Sequence, residues 1–168
     1  PRLRDPEWPE RLRALGADIA VVVAFGQILP TTVLAAPTRG SINIHGSVLP
    51  RYRGAAPIQW AIIRGESVTG ITTFQMDAGM DTGPVLLTAQ TPIGAEETAG
   101  ELSERLSVLG ADVILDTLAR LDSLKPTPQP EDLARLRELL AVVERPLVVV
   151  GEGGWTQETA DGIVAFCE

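Results

Sequence analysis

The feature that most constrains the fold is an unbroken apolar run at Asp18–Ala24, "DIAVVVA". Valine-rich runs without polar alternation are typical of parallel strands that are covered on both faces. We therefore expect Asp18–Ala24 to be a buried strand of a layered α/β sheet, and the surrounding chain should supply the layers.

The segments around this run alternate between strand and helix patterns. Strands are predicted at Ser41–His45, Thr69–Gln75 and Val85–Ala89. Helices are predicted at Glu7–Leu15, Pro30–Ala36, from Pro57 to about Arg64, and after the capping-box pair Thr98 and Glu101. The alternation of strands and helices indicates the α/β class.

A proline-rich stretch, "LKPTPQP", predicts a linker at residues 125–130. Residues 1–124 would then form the main domain, and residues 131–168 would form an extra helix–strand–helix tail. The chain begins with Pro1 rather than Met, so we expect the main domain to be truncated at its N-terminus.

Composition excludes several classes of protein. The net charge of −8 argues against a surface that attracts nucleic acid by charge alone. The single cysteine, Cys167, excludes an internal disulfide and a multi-cysteine metal site, and it fits a cytoplasmic protein. No apolar run is long enough to predict a transmembrane helix, so no membrane partner is expected.

Three polar residues fall where strands of an open α/β sheet end, the usual place for a site. Asn43 and His45 lie two residues apart on one predicted strand and share a face, and Asp81 lies in the loop after the next strand. An amide and an imidazole can donate to the oxyanion of a tetrahedral intermediate. A carboxylate can hold the imidazole and accept a proton. The trio therefore suits acyl or formyl transfer to an amine.

Other interpretations of these residues remain open from the pattern alone. A lone histidine near a strand end is more often a structural residue than a catalytic one. A metal site is not expected, because one histidine and scattered carboxylates lack ligand spacing. Arg51 and Arg53 fit a phosphate contact and a structural capping role equally well.

The stretches "NIHGSVLPRYRGAAPIQWAI" and "TGITTFQMDAGMDTG" resemble the catalytic core of the methionyl-tRNA formyltransferase family. The resemblance runs from about Leu12 to Pro130 and is most specific between Ser41 and Gly83. It implies a Rossmann-like open twisted sheet, the formyltransferase fold. It also implies transfer of a formyl group from 10-formyltetrahydrofolate to the amino group of initiator methionyl-tRNA, without a metal.

The same resemblance implies roles for individual residues. Asn43, His45 and Asp81 match the catalytic trio of the family. The folate-contacting residues would be those of a Ser-Val-Leu-Pro segment and of two loops that wall the pterin pocket, namely Ser47, Val48, Leu49, Pro50, Phe25, Gln27, Leu29 and Asp77. The peptide bond between Leu49 and Pro50 is expected to be cis.

The tail "LLAVVERPLVVVGEGGWTQETADGIVAFCE" resembles the start of the central domain of thiamine-diphosphate-dependent enzymes of the acetolactate synthase type. No thiamine-diphosphate or magnesium motif accompanies it, so no thiamine chemistry is inferred. Three alternatives to methionyl-tRNA formylation remain: a relative that formylates a small amine, an inactive folate-binding fragment, and a nucleotide-binding role for the tail.

Overall fold

The computed structural model describes residues 3, 5 and 7–129. The predicted tail at residues 131–168, with its glycine loop and its second resemblance, lies outside the described residues.

The described part of the chain forms a four-stranded mixed sheet. The strands are β1 (Ala20–Val23), β2 (Ser41–His45), β3 (Val68–Gln75) and β4 (Val85–Pro92). They lie side by side in chain order. β1 pairs parallel with β2, whereas β2–β3 and β3–β4 pair antiparallel.

The helices are α1 (Trp8–Ala14), α2 (Thr31–Leu34), α3 (Pro57–Ile63) and α4 (Ala99–Arg120). They confirm the predicted alternation and the α/β class. None of the described helices combines the length and the apolar character that crossing a bilayer requires.

Two apolar clusters hold the helices on the sheet. In the first, Leu102, Leu106 and Val113 of α4 pack on Ile71 of β3, together with residues of α3. In the second, Leu29 and residues of α2 pack with Val22 of β1 and with α1. Val22 points away from its neighbours Val21 and Val23, which share a cavity with α4 residues. The two clusters therefore lie on opposite faces of the sheet.

The expectation that Asp18–Ala24 is covered on both faces is wrong for the described residues. Val22 packs in the second cluster, but Val21 and Val23 are 42% and 58% exposed. Both line an open cavity, so the apolar run supplies one packed face and one face that borders the cavity.

Part of the predicted linker pairs with the sheet. Thr127 and Val85 exchange two backbone hydrogen bonds of 2.8 Å, which form an isolated antiparallel bridge. The backbone is therefore fixed to the start of β4 at Thr127.

The predicted capping box at the start of α4 is present. The Glu101 N–H donates to the Thr98 hydroxyl at 3.3 Å, and the Thr98 N–H donates to the Glu101 carboxylate at 2.9 Å. The Thr98 N–H and hydroxyl together lower the pKa of Glu101 below its ordinary value of 4.5. The capping contacts therefore favour the ionised carboxylate.

We predict that Thr98→Ala lowers the free energy of unfolding by about 1 kcal/mol at neutral pH, because the N-cap acceptor is lost. Since the folded pKa of Glu101 is depressed, its contribution is present above the unfolded pKa and is lost as the pH falls through the folded one. The difference between parent and variant should therefore shrink in acid. Urea denaturation of parent and variant, at neutral pH and in acid, measures this difference in the free energy of unfolding. Thr98→Ser keeps the acceptor and should resemble the parent, and an equal loss in both variants would contradict the capping role.

Candidate active site

A cavity of about 860 Å³ is bounded by the ends of β1 and β2, by the loop after β2 and by α4. Asn43, His45 and Asp81 all line it. The structure thus brings together the three residues that the sequence analysis singled out, although the whole of α3 and β3 lies between His45 and Asp81 in the chain.

The imidazole of His45 is fixed by a backbone carbonyl. Nε2 lies 2.8 Å from the carbonyl oxygen of Tyr52, and because that oxygen can only accept, Nε2 carries the proton. The ring also meets Phe74 edge to face at 6.5 Å between centroids. His45 is 6% exposed, so these contacts determine the ring's orientation.

The other nitrogen of His45 faces Asp81. Nδ1 lies 3.6 Å from Oδ2 of Asp81, longer than a hydrogen bond but within ion-pair range. In the neutral ring with Nε2 protonated, Nδ1 presents a lone pair to this carboxylate. The carboxylate of Asp81 therefore lies close enough to Nδ1 to orient the ring and to take part in proton transfer.

Asp81 is held in an unusual backbone conformation. Its φ of 54° is left-handed, which aspartate tolerates better than most residues. Its Oδ2 accepts a hydrogen bond of 2.8 Å from the Gly54 N–H. Two residues later, a Cβ at Gly83 would lie 1.8 Å from the carbonyl oxygen of Gln75. Glycine is therefore needed to bring the loop this close to β3.

The loop after β2 supplies the groups that hold His45 and Asp81. Tyr52, Gly54 and Ala56 all have positive φ, so the backbone turns sharply and can present both the Tyr52 carbonyl and the Gly54 N–H. Glu66 accepts hydrogen bonds from the Tyr52 hydroxyl and from Arg51. The bond to Glu66 is the main reason that the pKa of Tyr52 is raised above 10.0.

The Ser47–Pro50 segment is anchored to β3. The Leu49–Pro50 peptide bond is cis, which confirms the expectation. The Thr72 hydroxyl donates to the Ser47 carbonyl at 2.7 Å and accepts from the Leu49 N–H at 3.1 Å. The Ser47 hydroxyl donates to the carbonyl of Arg51 at 2.5 Å. Ser47 and Leu49 are buried, and Val48 and Pro50 are half-buried.

The remaining predicted folate contacts take different positions. Phe25 lines the cavity, whereas Gln27 is exposed and is not among the residues that line it. Leu29 is buried in the second apolar cluster. Asp77 accepts from the Gly79 N–H and the Thr82 hydroxyl, at 3.0 and 2.7 Å, and so shapes the loop that leads to Asp81.

Several groups at the site were not found by sequence reasoning. Gly54 binds Asp81, and the Tyr52 carbonyl binds His45, but backbone groups leave no signal in residue types. The polar side chains of Ser103 and Ser107 on α4 also line the cavity. Their spacing of four residues could have indicated from the sequence that both side chains lie on one face of a helix. In the described part of the chain, no cluster of His, Cys, Asp or Glu is arranged to hold a metal ion.

Comparison with known proteins shows that the sequence of this chain is similar to formyltransferases. Residues 1–118 match the family described as formyl transferase. The methionyl-tRNA formyltransferase of Ruegeria pomeroyi is 51% identical over 170 residues, which cover 92% of this chain and 56% of that protein. The chain spans about half the length of the curated relatives that it matches.

Solved structures share the fold. Phosphoribosylglycinamide formyltransferase from Bacillus halodurans aligns with a TM-score of 0.63 and 31% identity, over 68% of this chain and 59% of that one. HypX from Aquifex aeolicus, solved in complex with tetrahydrofolic acid, aligns with a TM-score of 0.65 and 23% identity, over 75% of this chain and 22% of that one. The predicted Rossmann-like formyltransferase fold is confirmed.

We predict that Thr72→Val lowers the free energy of unfolding by about 1–3 kcal/mol, because the carbonyl of Ser47 and the N–H of Leu49 lose a buried partner. Thr72→Ser keeps the hydroxyl and should lose less. Urea denaturation of both variants gives the comparison. A valine variant as stable as the serine variant would show that the hydroxyl does not anchor the segment.

We predict that Tyr52 ionises above its ordinary pKa of 10.0. Because Tyr52 is the single tyrosine of the chain, phenolate absorbance reports it alone. The bond to Glu66 stabilises the protonated phenol, so its contribution to folding is present below the unfolded pKa and is lost as the pH rises through the folded one. Glu66→Gln should move the midpoint toward 10.0, and an unmoved midpoint would rule out Glu66 as the cause.

Proposed function

We propose, because this chain belongs to the formyl transferase family, that its main domain transfers the formyl group of 10-formyltetrahydrofolate to the amino group of initiator methionyl-tRNA. The observation that carries the proposal is the convergence of Asn43, His45 and Asp81 on one cavity, with Nδ1 of His45 3.6 Å from Asp81. An amide, an imidazole and a carboxylate supply an oxyanion site and a proton acceptor together.

The cavity is the proposed folate site. Its volume of about 860 Å³ is of the size that takes a cofactor-sized ligand. Phe25 offers an aromatic wall for the pterin ring. Gln27, Leu29, Asp77 and the Ser47–Pro50 segment would act by shaping the surrounding loops. The tetrahydrofolate bound to HypX, which has the same fold, supports this assignment.

In the proposed reaction, the methionyl amine attacks the formyl carbon and a carbon–nitrogen bond forms. The carbonyl electron pair moves to oxygen, where the amide of Asn43 donates a hydrogen bond, as does Nδ1 of His45 when that nitrogen carries a proton. The attacking amine gives up a proton to Asp81, directly or through a water. The carbonyl then re-forms as the bond between the carbon and N10 breaks. N10 takes up the proton that Asp81 received, directly or through a water, and tetrahydrofolate leaves.

The curated relatives favour methionyl-tRNA as the acceptor. Relatives from several bacteria that carry the name methionyl-tRNA formyltransferase are 50% to 57% identical to this chain. Solved structures of formyltransferases that act on other amines share less identity, for example 31% for the phosphoribosylglycinamide enzyme. The function of these relatives in translation also supports a cytoplasmic location.

The two arginines after β2 are engaged within the domain. Arg51 pairs with Glu66, and Nε of Arg53 donates to the side chain of Gln129 at 3.1 Å. These contacts favour a structural role for both arginines over a dedicated tRNA contact. We therefore propose neither arginine as a tRNA-binding residue.

We predict that the parent chain formylates methionyl-tRNA and that His45→Ala and Asp81→Asn each lower the rate at least about 100-fold, because each removes a group that acts in the transition state. The assay follows formyl-methionyl-tRNA formed from 10-formyltetrahydrofolate. Gln90→Ala is the matched control, since Gln90 is exposed on β4 and does not line the cavity.

Two outcomes would redirect the proposal. Faster transfer to small amines than to methionyl-tRNA would assign the chain to the relatives that act on small molecules. Folate binding that survives His45→Ala, together with no transfer by the parent, would make it a non-catalytic folate-binding domain.

A further inference from the structure

One side chain ties the site to a distant segment. Gln129 lies 48 residues after Asp81 in the chain, yet its Nε2 donates to the Asp81 carbonyl at 3.0 Å. The same nitrogen donates to the Gly83 carbonyl at 2.7 Å. Its Oε1 accepts from Nε of Arg53 at 3.1 Å. The side-chain amide of Gln129 thus donates two hydrogen bonds to one loop of the site and accepts one from the other loop.

The backbone beneath Gln129 is fixed. Two residues earlier, Thr127 exchanges paired hydrogen bonds of 2.8 Å with Val85 at the start of β4. The side chain therefore reaches the loops from a strand-like anchor, and its three hydrogen bonds can restrain them.

The two loops that Gln129 joins are the ones that hold the catalytic pair. The loop after β2 supplies the Tyr52 carbonyl to His45 and the Gly54 N–H to Asp81. The other loop carries Asp81 itself, in the left-handed conformation at φ 54°. A shift between the loops would change the 3.6 Å separation of His45 and Asp81 directly.

We propose that Gln129 is a positioning residue that sets the distance and orientation between Asp81 and His45. The proposal rests on the proposed function, in which this pair handles charge and protons. Gln129 is not among the residues that line the cavity, so its proposed action is through the loops. It acts by clamping the Asp81–Gly83 backbone to Arg53.

The chemistry of the clamp requires an amide. Leucine has a similar size but offers neither the donors nor the acceptor. Glutamate keeps an acceptor for Arg53 but places carboxylate oxygens against the carbonyls of Asp81 and Gly83, which repel it. Asparagine keeps the amide but is one methylene shorter, so it cannot reach both loops at once. These three variants separate hydrogen bonding from size and polarity.

The first test measures kinetics in the full chain. Gln129→Leu and Gln129→Glu should lower kcat about 10- to 100-fold, because a displacement of about 1 Å in a catalytic group has that effect. The KM for 10-formyltetrahydrofolate should change less than about twofold, since uniform substrate binding is unaffected. Gln90→Leu, the same change at an exposed site on β4, should leave both constants unchanged.

The second test does not depend on turnover. His45 is the single histidine of the chain, so its imidazole nitrogen NMR signals need no further assignment. At one fixed pH, the signals of Gln129→Leu and Gln129→Asn should move from the parent positions toward those of Asp81→Asn. The signals of Gln90→Leu should stay with the parent.

The outcomes distinguish this inference from the proposed function. Parent-like kcat and parent-like imidazole signals in the Gln129 variants would overturn the positioning role. A rise in KM with unchanged kcat would overturn it too, because it would indicate substrate binding. If the parent does not transfer formyl groups, the proposed function fails, and the imidazole signals alone decide whether Gln129 positions the pair. If Gln129→Leu does not fold, Gln129→Asn gives the same readout.

Discussion

The site depends on one hydrogen bond, from Nε2 of His45 to the carbonyl of Tyr52 at 2.8 Å. This bond fixes which nitrogen carries the proton and points Nδ1 at Asp81. The carbonyl is available only because Tyr52 is left-handed, with φ 56°. That conformation is supported in turn by Glu66, which binds the Tyr52 hydroxyl. A half-buried carboxylate three residues after the end of α3 thereby contributes to the orientation of a buried imidazole.

The mixed sheet explains why Asp81 needs so much support. Since β3 runs antiparallel to β2, the end of β3 at Gln75 pairs with Ile42, near the start of β2. The loop that carries Asp81 therefore leaves the sheet at the opposite end of β2 from His45. It must fold back to reach the imidazole, and Asp77, Gly54 and Gln129 supply the hydrogen bonds that hold it there.

Local patterns predicted most of the elements. The strand at Ser41–His45 and the capping box at Thr98 were predicted correctly, because side-chain alternation and N-cap chemistry are encoded by neighbouring residues. The prediction that Asn43, His45 and Asp81 form one site depended on the family resemblance. The spacing of these residues alone was also compatible with a structural role for His45. The antiparallel direction of β3 had no local signal. The direction of β3 depends on how segments distant in the chain pair, and the contacts of Gly54 and Gln129 depend on the same long-range pairing.

The proline-rich stretch makes contacts with the sheet that its composition does not indicate. Three prolines in "LKPTPQP" favour an extended linker that begins at residue 125. Extended backbone is also what a strand-like bridge requires, and Thr127 uses it to pair with Val85. The bridge in turn brings Gln129 within reach of both loops at the site. A domain cut at residue 124 would remove these bonds while leaving Asn43, His45 and Asp81, the proposed catalytic residues, in place. The smallest unit that retains the site's geometry therefore extends at least to Gln129.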